Sequence, residues 1–485
     1  LASCEVFEGD PGCYQRSFAV IDAATPKQLQ DVARRWLSRG DYTLEIRPAA
    51  AYQAAPAGAV DRSQGVPATT TFPDLAFPDL QRTKLRNGLP VIVAHRPGVP
   101  VVNVAILFDA GYVADQGRKL GTSSFTMAML DEGTATLGSL QIADRAERLG
   151  ADLGSGSSLD SSTVSLSALK ENLDPSLALF ADVVRNPAFA QKEIDRVRKE
   201  WLAGIAREKQ SPDALAMRTL PPLLYGPGHP YAIPFNGSGT EASIASLQRD
   251  DLLAFQREWL RPDNATLIVT GDVTPGEIVP LLEKHFGTWA APATPRPAKV
   301  LPEAARPGSP RVFLLDRPDA VQTSILAGEL MPSSLAPNRF EIETMNALLG
   351  GTFSSRLNMN LREDKHWSYG VSTALPGARG QRPWLLFAPV QTDKTVESLR
   401  ELQQELTQFV GDRPATADEV AKIRNRDVRA LSGRFETNAS VAGAIATSSS
   451  TSVRTTTCAR SRRASSRRPM RACAMRPAVR CCRRR

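Results

Sequence analysis

The segment Val32–Pro48, "VARRWLSRGDYTLEIRP", recurs in outline at Phe255–Pro275, "FQREWLRPDNATLIVTGDVTP". In each, a helical stretch ends in Trp-Leu, a turn follows, and a Thr-Leu-centred strand runs toward a proline. Trp36 and Trp259 hold equivalent places. A supersecondary unit met twice commits the chain to more than one copy of the same domain. Residues 1–48 are therefore expected to be the tail of an earlier copy, and the chain a C-terminal piece of something longer.

At 485 residues the chain also exceeds what a single core can organise. Two proline-rich stretches divide it, residues 49–82 and residues 291–310, the latter with six prolines. Proline breaks helices and withholds a backbone donor from sheets, so both read as linkers. Between them, residues 83–290 follow an α+β pattern. "LPVIVAHRP" and "VVNVAILFDAG" are strand-like, as are "ADLGSGSSLD", "STVSLSAL" and "ATLIVTGDV", with helical stretches among them. In one long helix Ile194, Val197, Trp201, Leu202 and Ile205 share a face. Residues 311–447 replay the order, with "RVFLLDRP", "TSILAGELMP", "YGVSTALPG" and "RPWLLFAPVQ" as strands and two long helices from about Val396 and Ala417.

The net charge of +8 comes from one place. Residues 448–485 hold 12 arginines, four of the six cysteines and no acidic residue; the rest of the chain has 47 basic against 51 acidic residues. Such a tail has the charge of a nucleic-acid or membrane arm. It lacks Leu, Ile and Phe, however, and begins abruptly inside the apparent helix "ETNASVAGAIA". That switch favours disorder or out-of-frame translation over an evolved arm, so no nucleic-acid partner is expected. No window reaches 18 consecutive apolar residues, and no membrane span is expected. Outside the tail, Cys4 and Cys13 in "CEVFEGDPGC" either close a disulfide loop, suiting an oxidising compartment, or stay as two thiols.

A hydrolytic zinc site needs about three protein ligands, a water and a base. The four histidines, His95, His229, His285 and His366, lie too far apart in sequence for one helix to offer two of them to a metal. His229 in "GPGHPY" reads as a loop residue, and His285 lies near a helix C-terminus, where partial positive charge is favourable. No phosphate-binding glycine loop, Cys-x-x-Cys or Gly-x-Ser-x-Gly elbow is present. Local chemistry alone supplies no complete active site.

"LRNGLPVIVAHRPGVPVVNVAILFDAGYVADQGRKLGTSSFTMAMLDEGT" resembles the opening of a domain of the insulinase/pitrilysin-type (M16) zinc peptidases. Active members read Gly-x-x-His-x-x-Glu-His-Met-Leu-x-x-Gly-Thr there, with both His on zinc and the Glu as base. Gly121, Met129, Leu130, Gly133 and Thr134 match that frame. The first ligand position is Ser124, the base position Met127 and the second ligand position Ala128. A third ligand, a glutamate, would fall near Glu200, which is otherwise an exposed helix residue. A hydroxyl, a thioether and a methyl group cannot hold zinc, so no metal is expected in this chain. The stretch instead reads as packing, with Phe125, Ala128 and Met129 on one face, Thr122 or Ser123 as cap and Gly133 as stop.

"REWLRPDNATLIVTGDV" and "LLGGTFSSRLNMNLREDKHWSYGV" are similar to later segments of the same family. In the second, Arg362 and Tyr369 stand seven residues apart. The resemblance implies that such a pair, supplied by a C-terminal half, holds substrate and the tetrahedral intermediate at the zinc site of an N-terminal half. Guanidinium and phenol are apt donors for a developing oxyanion. "HWS" departs from the family's usual turn at that point.

The resemblance implies an α+β chain with two repeated M16-type domains, residues 83–290 and 311–447, each a mostly antiparallel sheet with helices on one face. It implies the non-catalytic half of a tandem peptidase, with zinc in the missing N-terminal half, that half as partner and unfolded peptides as substrates. The alternative is a stand-alone inactive scaffold or regulatory subunit pairing with a separate active M16-type chain. Bacterial relatives and the Cys4–Cys13 pair point to the envelope or periplasm.

Overall fold

The computed structural model describes residues 2–38, 40, 77–306, 308–318 and 320–450. The strand expected at 41–48, most of the 49–82 connector and residues 451–485 lie outside the described residues. The chain forms two compact units, Leu1–Thr69 and Thr70–Arg485.

The first unit has helices α1 (Ala2–Glu8), α2 (Cys13–Asp22) and α3 (Pro26–Leu37). Of the two states left open for its cysteines, the structure forms the disulfide, with Cys4 and Cys13 Cα atoms 5.4 Å apart. The loop it closes turns at Asp10, whose Oδ1 accepts the Gly12 N–H at 2.8 Å. Helix α3 starts at a reciprocal cap: Thr25 accepts from the Gln28 N–H while the Gln28 side chain accepts the Thr25 N–H.

The second unit opens with β1 (Leu80–Lys84), β2 (Pro90–His95), β3 (Val101–Phe108), α4 (Thr122–Ala128) and α5 (Ser139–Leu149). The β4 (Asp152–Ser157) and β5 (Ser162–Leu169) hairpin leads to α6 (Leu173–Arg185), α7 (Gln191–Gln210) and α8 (Pro212–Tyr225). Then come α9 (Glu241–Ser246), α10 (Arg249–Trp259), β6 (Ala265–Gly271) and α11 (Pro275–Phe286). The first sheet has the order β1-β2-β6-β3-β5-β4 and is antiparallel except for β2 beside β6. A second lobe follows, with β7 (Gln322–Met331), α12 (Arg339–Leu349), α13 (Arg356–Asn358), β8 (Ser372–Ala374) and β9 (Arg382–Gln391). It continues through α14 (Thr395–Val410), α15 (Ala417–Arg434) and α16 (Asn438–Ser450), around a three-stranded antiparallel sheet β7-β9-β8.

Strand alternation places the cores. Val91, Val93, Val104, Ile106 and Val269 face one side of the first sheet and pack with Phe125, Ile194, Phe255 and Trp259. In the second sheet Trp384, Leu386, Ala388 and Val390 pack with Leu348, Leu402 and Ile423. The fold is thus α+β with antiparallel-rich sheets, as expected, but helices are not confined to this face of each sheet.

The opposite faces are also covered, each by a helix of the other lobe. Helix α8 packs on β7, where Gly328 leaves room for Leu220 and Leu224. Helix α16 returns to the first sheet, setting Val441, Ala442 and Ile445 against Ile92, Ala94, Leu107 and Ile268. It is held there by Thr270 Oγ1 donating to the Asn438 carbonyl at 2.9 Å and by Arg96, which bonds Asn438 Oδ1 at 3.2 Å and the Glu436 carbonyl at 3.0 Å.

A polar junction joins the lobes below that exchange. Asp160 accepts the Tyr231 hydroxyl on both oxygens, at 2.8 and 3.0 Å, and the Arg379 N–H at 2.8 Å. The Gly380 N–H donates to Tyr231 Oη at 3.1 Å. Lys299 donates to the carbonyls of Ala110 and Asp160 at 3.1 and 2.7 Å and pairs with Asp109, which also takes Arg379. Burial pushes the Tyr231 phenol up, and the adjacent Asp160 pushes the same way. Burial also pulls the Lys299 ammonium down, against the opposing pull of Asp109.

One expected strand is not formed. "RVFLLDRP" at 311–318 is irregular, with Val312 and Leu314 exposed and Arg311 stacked over Phe313 at 5.6 Å. Its counterpart β2 is held in the first sheet by β1 and β6. Among the described residues β7 pairs only with β9, so 311–318 has no further strand of that sheet to join.

Candidate functional site

Helix α4 begins where Gly121 takes φ 92°. A Cβ there would stand 2.8 Å from Ile244 Cδ1, so both the left-handed backbone and the close approach require glycine. The cap is neither Thr122 nor Ser123, as the sequence suggested. Buried Asp115 reaches back to accept the N–H groups of Gly121 and Ser123, both at 2.8 Å, and the Ser123 hydroxyl at 3.3 Å. The buried Thr122 hydroxyl donates instead to the Lys119 carbonyl at 2.6 Å. The helix ends at Ala128, short of Gly133, whose backbone bridges to Gly138. The tight cap and the early bridge leave less than two turns of helix.

Phe125 and Met127 of this helix and Met129 and Leu130 just past it are fully buried, and Ser124 and Ala128 are half-buried on a shared i, i+4 face. The packed face therefore includes Met127, whereas Ala128 is only partly covered. Ser124 Oγ is buried with no hydrogen-bond partner among the described residues. A single neutral hydroxyl, a thioether directed into the core and a methyl group do not fit a zinc centre. Among the described residues no group of three or more His, Cys, Asp or Glu side chains is gathered as a metal would require.

The neighbouring elements close this region with protein contacts. Phe125 meets Trp201 of α7 edge-to-face, with ring centroids 5.5 Å apart, and Trp201 Nε1 donates to the Ser238 carbonyl at 2.9 Å. Ser155 of β4 donates to the Met127 carbonyl at 2.7 Å. Glu200 is exposed and its carboxylate is taken by Arg196 at 3.0 Å. Arg196 also holds Glu193 at 2.8 Å and Glu132 of the "DEGT" loop, so one guanidinium ties the motif's end to α7. Of the histidines, His229 is a loop residue bonded to the Pro302 carbonyl at 2.9 Å, and His285 bonds Asp174 at 2.8 Å.

Arg362 and Tyr369 are brought together, at a separate place. Arg362 lies on the π-helical turn Met359–Asp364, a distortion frequent at functional sites. Its guanidinium sits between two aromatic rings, 4.6 Å from the Phe353 centroid and 5.2 Å from that of Tyr369. Its Nε is 3.1 Å from Glu363 Oε1. Tyr369 is 85% exposed and Phe353 62%, so the phenol projects outward beside the guanidinium. His366 ends this turn at φ 58°, with Nδ1 3.1 Å from the Arg362 carbonyl. Arg356 anchors the preceding loop: its fork bonds Glu419 at 2.8 and 2.7 Å and its plane lies 5.0 Å from the Phe409 ring. The Arg356 hydrogen bonds pull the Glu419 carboxyl down to about 2.

The sequence matches two family profiles in order: "Insulinase (Peptidase family M16)" over residues 90–225 and "Peptidase M16 inactive domain" over residues 246–426. The chain belongs to the M16 peptidase family. An uncharacterized zinc protease of Mycobacterium leprae is 26% identical over 336 residues, covering 68% of this chain and 74% of that protein. The crystal structure of a peptidase M16 inactive domain from Pseudomonas fluorescens matches with a TM-score of 0.73 at 25% identity, over 82% of this chain and 93% of that one. The periplasmic protease PqqL of Escherichia coli matches with a TM-score of 0.68 at 16% identity, over 93% of this chain and 49% of that one. This M16 chain thus spans about half the length of the Escherichia coli protease.

Sequence reasoning missed Asp115, although an acidic residue shortly before a glycine-started helix is a readable cap signal. Burial pushes its carboxyl up to about 7, against the Ser123 and Gly121 hydrogen bonds that pull it down. Its unfolded value is about 4, so the folded chain holds an extra proton between those values. Stability from this group is full below pH 4, falls as pH rises toward 7 and then levels off. The wild type is therefore expected to lose about 1.4 kcal/mol per pH unit across that window relative to Asp115→Asn. Urea unfolding of both proteins from pH 4 to 8 measures it, and a pH-independent difference contradicts it.

Proposed function

We propose that this chain is the non-catalytic half of an M16-type zinc metallopeptidase. It forms part of the wall of a peptide-degradation chamber, and zinc belongs to another, N-terminal half. The observation that carries this reading is α4: it keeps the frame of the zinc helix from Gly121 to Thr134 while Ser124, Met127 and Ala128 stand at the donor and base positions. The match to about half of a longer periplasmic protease supports a two-half arrangement and an envelope location.

On this reading Arg362 and Tyr369 assist catalysis from the second lobe. Stacking between Phe353 and Tyr369, with Glu363 at its Nε, holds the guanidinium in one orientation, and leaves the phenol O–H free to turn toward a substrate carbonyl. Two such donors would stabilise the charge that develops as a peptide carbonyl becomes tetrahedral.

The test uses this chain and the protein assembled with its zinc-bearing half. This chain alone is expected to carry well under one zinc by elemental analysis and to leave unfolded peptides intact. In the assembled protein, Arg362→Ala and Tyr369→Phe are each expected to lower kcat by roughly 10²-fold with zinc content unchanged. One zinc per isolated chain, or unaltered kcat in both variants, overturns the reading. Activity that appears on mixing with a separately encoded chain would establish the free-subunit alternative instead.

A further inference from the structure

The π-helical turn that carries Arg362 is fixed to α14 by one polar side chain. Asn360 Nδ2 donates to Glu401 Oε2 and to Glu405 Oε1, each at 3.0 Å. Glu401 and Glu405 stand i, i+4 on α14, so two like charges share one face of the helix and one neutral donor group. Glu401 lies half-buried at the rim, whereas Glu405 is only 6% exposed.

The cluster has more acceptors than the protein serves. Glu405 Oε2 and Asn360 Oδ1 are both buried with no hydrogen-bond partner among the described residues. The cations around it are engaged elsewhere. Lys365 pairs with Asp364 at 3.0 Å, and the Arg356 fork is taken by Glu419. Arg413 Nη1 donates to Gln408 Oε1 at 2.7 Å and stands 3.6 Å from Glu405 Oε1. A buried carboxylate oxygen without a donor is costly, and here it belongs to a group held beside a second carboxylate.

Turning the Asn360 amide over exchanges Nδ2 for Oδ1, which then stands about 3 Å from each carboxylate. That is the spacing of neighbouring oxygens around a calcium ion bound at roughly 2.3–2.6 Å. We propose that Asn360, Glu401 and Glu405 form a site for a hard divalent cation of calcium size, which ties α14 to the turn Met359–Asp364. Glu405 can offer both oxygens, Asn360 and Glu401 one each, and water completes the shell on the half-buried Glu401 side. Two carboxylates and an amide suit calcium, whereas zinc favours nitrogen and sulfur donors, so this site is distinct in kind from the zinc frame of α4. It lies wholly within this chain, whatever half or subunit the chain joins.

Calcium binding is measured on this chain itself. With millimolar calcium the Tm is expected to rise by about 3 °C over the same protein in chelator at equal ionic strength. Equilibrium dialysis should find one calcium per chain, and well under one in Glu401→Gln, whose half-buried position lets the variant fold. Asn360→Asp separates a cation site from a merely hydrogen-bonded cluster. It sets a third carboxylate beside the other two, so without calcium it should melt below the wild type. With calcium it should recover, and bind the ion roughly ten-fold more tightly than the wild type does. Calcium that leaves the wild-type Tm unchanged, that binds Glu401→Gln as fully as the wild type, or that fails to rescue Asn360→Asp overturns the proposal.

Discussion

Asp160→Ala is expected to lower the unfolding free energy by about 3 kcal/mol. Asp160 is buried, and its two oxygens serve the Tyr231 hydroxyl of one lobe and the Arg379 N–H of the other. Alanine leaves both donors desolvated without an acceptor, and an orphaned buried donor costs more than its hydrogen bond contributed. The phenol can be removed at lower cost: Tyr231→Phe is expected to lose only about 1 kcal/mol, because the Gly380 N–H it abandons is a single neutral donor. The double variant should cost less than the sum, since Tyr231 is no longer stranded when both partners are gone. Denaturant unfolding of the three proteins closes the cycle. Strict additivity would mean that Asp160 and Tyr231 act independently, and would refute the junction as a single network.

The second large effect concerns the last described helix. A variant ended after Ser450 keeps every described helix and strand and serves as the reference. A variant ended after Phe435 loses α16, and with it the buried Val441, Ala442 and Ile445. Each large apolar side chain withdrawn from a core is worth about 1.5–3 kcal/mol, so the loss should reach about 5 kcal/mol. Ile92, Leu107 and Ile268 would then face water, and the protein should bind a hydrophobic dye and aggregate. Thermal melts and light scattering check both variants. Equal stability of the two would show that α16 contributes nothing to the first sheet.

Much of this architecture is legible in the residues. The apolar run "VVNVAILF" and the alternation of "STVSLSAL" are enough to fix β3 and β5: β3 is buried on both faces over its second half, while β5 alternates as a strand buried on one face does. The metal frame is equally legible, since it consists of glycines and motif residues whose order survives when the donors do not. The strand expected at 311–318 fails for a reason outside its own sequence: a strand needs a neighbour, and among the described residues the edge strand β7 pairs only with β9. Apolar Val312, Phe313 and Leu314 have strand propensity and nothing to pair with among the described strands. Asp115 is marked in the sequence only by its place shortly before a glycine-started helix, whereas Asp160 escapes notice because its partners Tyr231 and Arg379 lie 71 and 219 residues away. Arg362 and Tyr369 can be nominated from spacing, but their shared stack with Phe353 depends on the π-helical turn, which spacing does not encode.

The exchange of covering helices sets an order on how the protein can be made. Synthesis completes the first lobe's strands and its inward helices early, yet the outer face of that sheet waits for α16. The bond between Arg96 and Asn438 spans 342 residues. During that interval the ribosome carries a nearly finished sheet with Ile92, Leu107 and Ile268 uncovered, while α8 has no second sheet to rest on. Long-range closure of this kind is slow and leaves apolar surface available to other chains. A change of reading frame near the end of the gene, if it reached α16, would therefore be felt first in the half of this chain translated earliest. Holding factors that act on nascent chains would be needed for this protein more than its even, two-lobed layout suggests.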